Sequence, residues 1–126
     1  MGRKKVKRNV GNIDLKNWDI SAILCALPLI TYLESDTPDQ DAMLCNIAAE
    51  KLLGMRSGGS ATFSFAENAV IADAIHAALE VVSGRWSEVA LELDADWRRE
   101  LTDHLFALNR LYPRYVDLMK AFQAEM

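Results

Sequence analysis

The sequence predicts an all-α protein: a compact bundle of about five helices that follows a flexible basic N-terminal arm. Apolar residues recur at steps of three and four along most of the chain, which is the period of a helix with one buried face. Helix-capping residues and glycines stand where these periodic segments begin and end. With 126 residues, 51% of them hydrophobic and 25% charged, the chain has the size and composition of one globular domain. We therefore expect a single helical domain over residues 18–126 and an arm over residues 1–17.

The arm is predicted from a separation of charge along the chain. Residues 1–8 carry five positive charges and no negative one, whereas residues 9–126 contain nine basic and eighteen acidic residues. The basic side chains of the arm are Arg3, Lys4, Lys5, Lys7 and Arg8. Such a cluster can contact nucleic-acid phosphates or an acidic protein surface in a salt-dependent way. The alternative is a solubilising terminus, which could also fold back on the acidic body.

The first helix is predicted from apolar residues that recur through residues 20–33, with Asp19 or Ser21 as its N-cap. Pro28 falls within this pattern. Because proline lacks a backbone N–H and clashes with the preceding turn, we expect a kink or a break near Leu27.

Two clearer start signals follow. Thr37 is the predicted N-cap of a second helix, which is expected to end at Gly54. Ser64, with Glu67 three residues later, matches a capping box. The helix that this box begins is expected to end at Gly84.

A short fourth helix is expected over residues 87–93, although the apolar residues there also alternate as they would in a strand. Asp94 or Asp96 is the expected N-cap of the segment that follows. The chain is therefore predicted to return to helix without a long loop.

The last segment carries aromatic and aliphatic residues at the spacing of a helix-packing seam. Because Pro113 interrupts the seam, the sequence predicts either one kinked helix from about residue 97 to 124 or two helices. In the second case the helices meet at Leu111 and Tyr112. The side-chain types of the seam fill helix cores and are also common at protein interfaces. The predicted partner or self-association face consists of Tyr112, Tyr115, Met119 and Phe122.

Few residues offer catalytic or metal-binding chemistry. His76 and His104 have carboxylates at helical spacing, but a di-metal bundle needs two Glu-x-x-His pairs and the chain offers only Asp73-x-x-His76. Cys25 and Cys45 stand in apolar stretches, as small buried thiols in a reducing compartment do. The sequence contains no Gly-x-Ser-x-Gly elbow. We predict no metal or cofactor and favour a non-enzymatic protein over an enzyme.

The functional prediction depends on the acidic body. No lysine or arginine occurs from residue 17 to residue 50. The leading hypothesis is a small interaction or regulatory protein whose acidic helical body binds a protein partner. One alternative is a nucleic-acid-associated protein that uses residues 3–8, and another is an enzyme or metal-binding protein that uses His76 or His104.

No membrane span is expected. The longest apolar run, from Ile20 to Leu33, has 14 residues, whereas a span needs about 20. A secretory leader is not expected either, because polar residues separate the basic cluster from this run. Together with the two thiols, these features predict a cytoplasmic location.

Overall fold

The computed structural model describes residues 13–125, and within them the chain forms six α-helices and one 3-10 helix, with no β-strand. The elements are α1 (Asn17–Ala26), the 3-10 helix (Leu27–Tyr32), α2 (Pro38–Arg56), α3 (Phe65–Val82), α4 (Ser87–Glu92), α5 (Ala95–Asp103) and α6 (Leu105–Glu125). The all-α prediction is confirmed for this part of the chain. The predicted contact residues of the arm, Arg3, Lys4, Lys5, Lys7 and Arg8, lie outside the described residues.

Helix α3 is the centre of the bundle. It packs against α1, α2, α6 and the 3-10 helix. Its buried hydrophobic residues are Val70, Ile71, Ala74, Ile75, Ala77, Ala78 and Val81. The surrounding elements bury leucines and isoleucines against it, and all of these side chains belong to one hydrophobic core. No helix among residues 13–125 is long and apolar enough to cross a bilayer.

Helix α1 begins earlier than predicted. Its N-cap is Lys16, so the prediction of Asp19 or Ser21 as N-cap was wrong. Asp19 still stabilises the helix start, because its carboxylate accepts a hydrogen bond of 2.9 Å from the Lys16 backbone N–H. Upstream of the cap, Ile13 and Leu15 pack against the core. The packed chain therefore begins within the stretch that the sequence assigns to the arm.

The predicted break near Leu27 is confirmed. Helix α1 ends at Ala26, and the chain continues as the 3-10 helix with Pro28 in its first turn. Proline is tolerated there because the N–H that it lacks has no helical acceptor in a first turn. The break produces a short apolar segment that packs beside α2.

Three helix starts match their sequence signals. Thr37 is the N-cap of α2. The Oγ of Ser64 accepts a hydrogen bond of 3.1 Å from the Glu67 N–H and completes the capping box of α3. Asp94 caps α5 by accepting a hydrogen bond of 2.7 Å from the Trp97 N–H.

Glycines with positive φ follow two of the helices. Gly84 (φ 84°) follows α3, as predicted, and Gly58 (φ 102°) follows α2. The predicted end of α2 at Gly54 was wrong, since the helix runs on to Arg56. A glycine inside a helix weakens it without ending it, whereas a glycine in the left-handed region terminates it.

The C-terminal segment differs from both predicted forms. It consists of two helices, but they meet at His104 rather than at Leu111 and Tyr112. Pro113 lies inside α6. The proline and Asn109, whose carbonyl loses its helical donor, are both exposed, so water can satisfy that carbonyl. The helix therefore continues through the proline.

Candidate functional site

An apolar groove lies between α2 and the segment that joins α1 to it. Its volume is about 420 Å³, which is within the usual range of about 300–1,000 Å³ for ligand pockets. One wall comes from α1 and the 3-10 helix, through Leu24, Leu27, Pro28 and Ile30. The opposite wall comes from α2, through Ala42, Cys45, Asn46 and Ala49.

The groove exists because α2 presents small side chains on this face. The four α2 residues of the wall follow one another at steps of three, one and three, so they share one helix face. Leu53, four residues after Ala49, continues the same line and is 44% exposed. In its 19 residues α2 fully buries only Ala48 and Leu52. Large side chains that would fill the space are therefore missing from the wall.

The rim of the groove is acidic. Asp41 lines it, and Glu34, Asp36 and Asp39 are exposed in the adjoining segment. None of the ion pairs formed within residues 13–125 involves these four carboxylates. The groove thus combines apolar walls with a rim of negative charge that no ion pair within residues 13–125 neutralises.

The two cysteines are free thiols. The Cys45 thiol in the groove donates a hydrogen bond of 3.9 Å to the Leu27 carbonyl. Burial, and then the charge of Asp41, raises the pKa of Cys45. Burial, and then the charge of Glu100, raises the pKa of Cys25 to about 11. Since the thiolate is the reactive form, both groups are poor nucleophiles at neutral pH.

A second, shallower depression of about 270 Å³ lies between α3 and α6. It brings His76, a histidine considered for metal binding, next to Tyr112, which belongs to the predicted association face. The two rings stack with centroids 5.4 Å apart and planes at 20°. Asp73 and Met119 also line it. Burial raises the pKa of Asp73, the charge of His76 lowers it, and the charge of Asp41 raises it further.

The predicted face on α6 is occupied in large part by contacts within the protein. Tyr115 is 1% exposed and belongs to the core. Burial, and then the charge of Asp19, raises the pKa of its hydroxyl. Phe122 packs edge-on against Phe65, with centroids 5.2 Å apart. Partner contact from this face is therefore left to the half-buried side chains of Tyr112, Met119 and Phe122.

The histidines do not assemble a metal centre in the described part of the chain. His104 is the C-cap residue of α5, whereas His76 lies within α3. Within residues 13–125, no three histidine, cysteine or acidic side chains lie close enough together to hold a metal ion.

The groove was not predicted from the sequence, although part of its signal is readable there. The absence of basic residues from 17 to 50 is visible in the sequence, as is the line of small residues along α2. Their position opposite the 3-10 helix depends on tertiary packing, which helical periodicity alone does not specify.

Comparisons with known proteins assign no function. No family model matches the chain, and neither a curated protein nor a solved structure matches it significantly. Function is therefore inferred from the geometry and charge of the described residues.

Proposed function

We propose that the protein is a non-enzymatic binding module whose groove accommodates a basic amphipathic helix of a protein partner. The observation that carries this proposal is an apolar groove whose acidic rim has no cationic partner within residues 13–125. The hydrophobic effect favours covering the groove with apolar side chains. The rim favours a partner that carries lysines or arginines beside those apolar side chains.

The shape of the groove supports a helical partner. The α2 residues that line the groove run from Pro38 to Ala49, over about 16 Å at 1.5 Å per residue. This length corresponds to about three helical turns. Helix-in-groove recognition places apolar side chains at positions i, i+3, i+4 and i+7 of the partner. These apolar side chains of the partner would fill the space that alanine and cysteine leave along α2.

The charge of the rim supports selectivity between partners. No lysine or arginine of residues 17–50 is available to attract an acidic helix. A basic helix is attracted during diffusion, and an acidic helix of the same apolar pattern is repelled. Binding through the rim should weaken with salt, because three of its carboxylates, Glu34, Asp36 and Asp39, are exposed.

The test compares two synthetic peptides of about 18 residues with the same leucine spacing of i, i+3, i+4 and i+7. One carries lysine at the remaining positions and the other carries glutamate. We expect the lysine peptide to bind in isothermal titration calorimetry and the glutamate peptide not to bind. Equal binding of both peptides, or binding of neither, would contradict the proposal.

A variant that fills the groove tests whether the lysine peptide binds there. Ala42 is exposed and lines the groove, so Ala42→Trp should fill it without disturbing the core. We expect affinity for the lysine peptide to fall at least about tenfold, which is about 1.4 kcal/mol. The matched control is Ala124→Trp on the exposed face of α6, which should leave the affinity unchanged. Equal affinity in the two variants would place the binding elsewhere.

A rim variant separates charge from shape. Glu34 and Asp36 lie outside the helices, so Glu34→Gln with Asp36→Asn keeps the N-cap Thr37 and the first-turn acids Asp39 and Asp41 of α2. We expect this variant to bind the lysine peptide several-fold more weakly and with a smaller dependence on salt. The control is Glu92→Gln with Asp117→Asn, which removes the same charge from exposed positions outside the groove. An identical loss in both variants would indicate only an effect of net charge.

A further inference from the structure

The segment that precedes the described chain has the chemistry that the groove selects. Residues 1–12 contain the five basic side chains of the arm and no acidic one. They also contain Val6 and Val10, four residues apart. Basic residues with apolar side chains at a spacing of four match the partner expected for the groove.

The segment is long enough to reach the groove. The described chain begins at Ile13, which packs against the core just before α1. The ten residues of α1 span about 15 Å, and the groove begins at Leu24, near the far end of that helix. Leu24 lies seven residues after Asn17, which is about 10 Å along the helix. The three steps from Ile13 back to Val10 also cover about 10 Å when extended. A chain that returns along α1 therefore brings Val10 to the near end of the groove.

The acidic rim is the favoured destination on the body. From Arg85 onward, acidic residues are interleaved with basic ones, and two ion pairs form there, Arg85 with Glu80 at 2.6 Å and Arg99 with Asp96 at 3.4 Å. The four rim carboxylates form no such pair within residues 13–125. Between Lys16 and Lys51 the sequence contains no competing cation.

From these observations we infer that residues 3–10 bind the groove in cis and compete with the external partner. This inference rests on the proposed function, because it assigns a regulator to the same site. Tethering gives the segment an effective concentration on the order of millimolar. Even a weak contact then occupies a substantial fraction of the grooves and lowers the apparent affinity for an external helix by that fraction. Salt or an acidic competitor that removes the segment would expose the groove.

The first arm of the test needs no added peptide. Amide resonances of the full chain are compared with those of a variant in which Arg3, Lys4, Lys5, Lys7 and Arg8 are all changed to Gln. We expect shift differences over residues 24–49 at low salt, with the two spectra converging as salt is raised. Identical spectra, or differences confined to other regions, would overturn the inference. Differences that grow with protein concentration would also overturn it, because they indicate an arm bound to a second copy.

The second arm measures competition. The five-Gln variant should bind the lysine peptide about 2- to 10-fold more tightly than the full chain at low salt. A charge-preserving variant, Val6→Ser with Val10→Ser, should give an intermediate gain if the valines occupy the groove. Equal affinity of the full chain and the five-Gln variant would overturn the inference.

The two arms also separate this inference from the proposed function. Arm-dependent shifts in the groove without any peptide binding support the cis contact and contradict the proposed function. Peptide binding in the groove without arm-dependent shifts supports the proposed function and contradicts the cis contact.

Discussion

Asp19 is a carboxylate that the fold buries completely. Its side chain is 0% exposed and pairs with Arg110 of α6, whose side chain is 29% exposed. The carboxylate also accepts the backbone hydrogen bond from Lys16 at the start of α1. A buried carboxylate without its cation is strongly unfavourable, so this pair joins α1 to α6.

We predict that Arg110→Ala lowers the free energy of unfolding by about 3–5 kcal/mol, because it leaves the Asp19 carboxylate buried without a cation. Urea denaturation followed by circular dichroism measures this change. The matched control is Arg114→Ala, which removes an exposed arginine one turn later and should cost within about 0.5 kcal/mol. Equal costs in the two variants would show that the pair contributes little.

Glu67 makes the stability of the folded state depend on pH in the acidic range. Burial alone would raise the pKa of Glu67, but hydrogen bonds from Lys51 Nζ at 2.7 Å and from the Ser64 backbone N–H at 2.9 Å outweigh it. The pKa therefore lies below its ordinary value of 4.5. A depressed carboxyl pKa stabilises the folded state fully above the unfolded-state value, and this stability is lost as pH falls through the folded-state value.

We therefore predict that stability falls below about pH 4.5 more steeply in the parent than in Glu67→Gln, which lacks this titration. Urea midpoints measured from pH 6 to pH 3 provide the comparison. Glu50→Gln, at an exposed position on α2, is the control and should keep the steeper slope. A slope in Glu67→Gln as steep as in the control would contradict the assignment.

At the scale of elements, helix starts differ in how much their caps contribute. Ser64 caps α3 through its side chain and a reciprocal bond from Glu67. Thr37 occupies the N-cap position of α2, but its side chain makes no capping bond. Its hydroxyl lies 3.5 Å from the Asp41 carboxylate instead.

We predict that Ser64→Ala lowers the free energy of unfolding by about 1 kcal/mol. Thr37→Ala should change it by less than about 0.5 kcal/mol, since no capping hydrogen bond is lost. Thermal or urea unfolding of the two variants tests this contrast. A larger loss for Thr37→Ala than for Ser64→Ala would contradict it.

The elements also show which features are readable from sequence. The starts at Thr37 and Ser64 and the break near Leu27 are local, because capping residues and proline act on the backbone beside them. The junction at His104 carries no proline or glycine, and the sequence pattern therefore did not reveal it. Pro113 suggested a kink or a junction, but the helix continues through it. Its exposed position lets water satisfy the carbonyl that it leaves unpaired.

At the scale of the molecule, the candidate site was harder to predict than the fold. Helical periodicity identifies which residues turn inward, and the buried residues of α3 follow it. A groove is a space that packing leaves open between elements distant in sequence. Its acidic rim was visible as a stretch without basic residues, and one wall as a line of small residues on α2, but their position opposite the 3-10 helix was not. The same limit applies to Tyr115, which the periodic seam did not distinguish from its more exposed neighbours.

The single core predicts cooperative unfolding of the whole domain. All helices contribute to one hydrophobic cluster, and the three tryptophans lie at residues 18, 86 and 97. Urea transitions followed by tryptophan fluorescence and by far-ultraviolet circular dichroism should therefore coincide. Two separated transitions would indicate a part of the bundle that unfolds independently.

The central claim is that the groove between α2 and the 3-10 helix binds a basic amphipathic helix. The most direct test is a nuclear magnetic resonance titration of the isotope-labelled protein with the leucine and lysine peptide. We expect amide shifts concentrated over residues 24–49, and we expect Ala42→Trp to abolish them. Saturable shifts that instead map to α6 around Tyr112 and Met119, or no shifts at all, would contradict it.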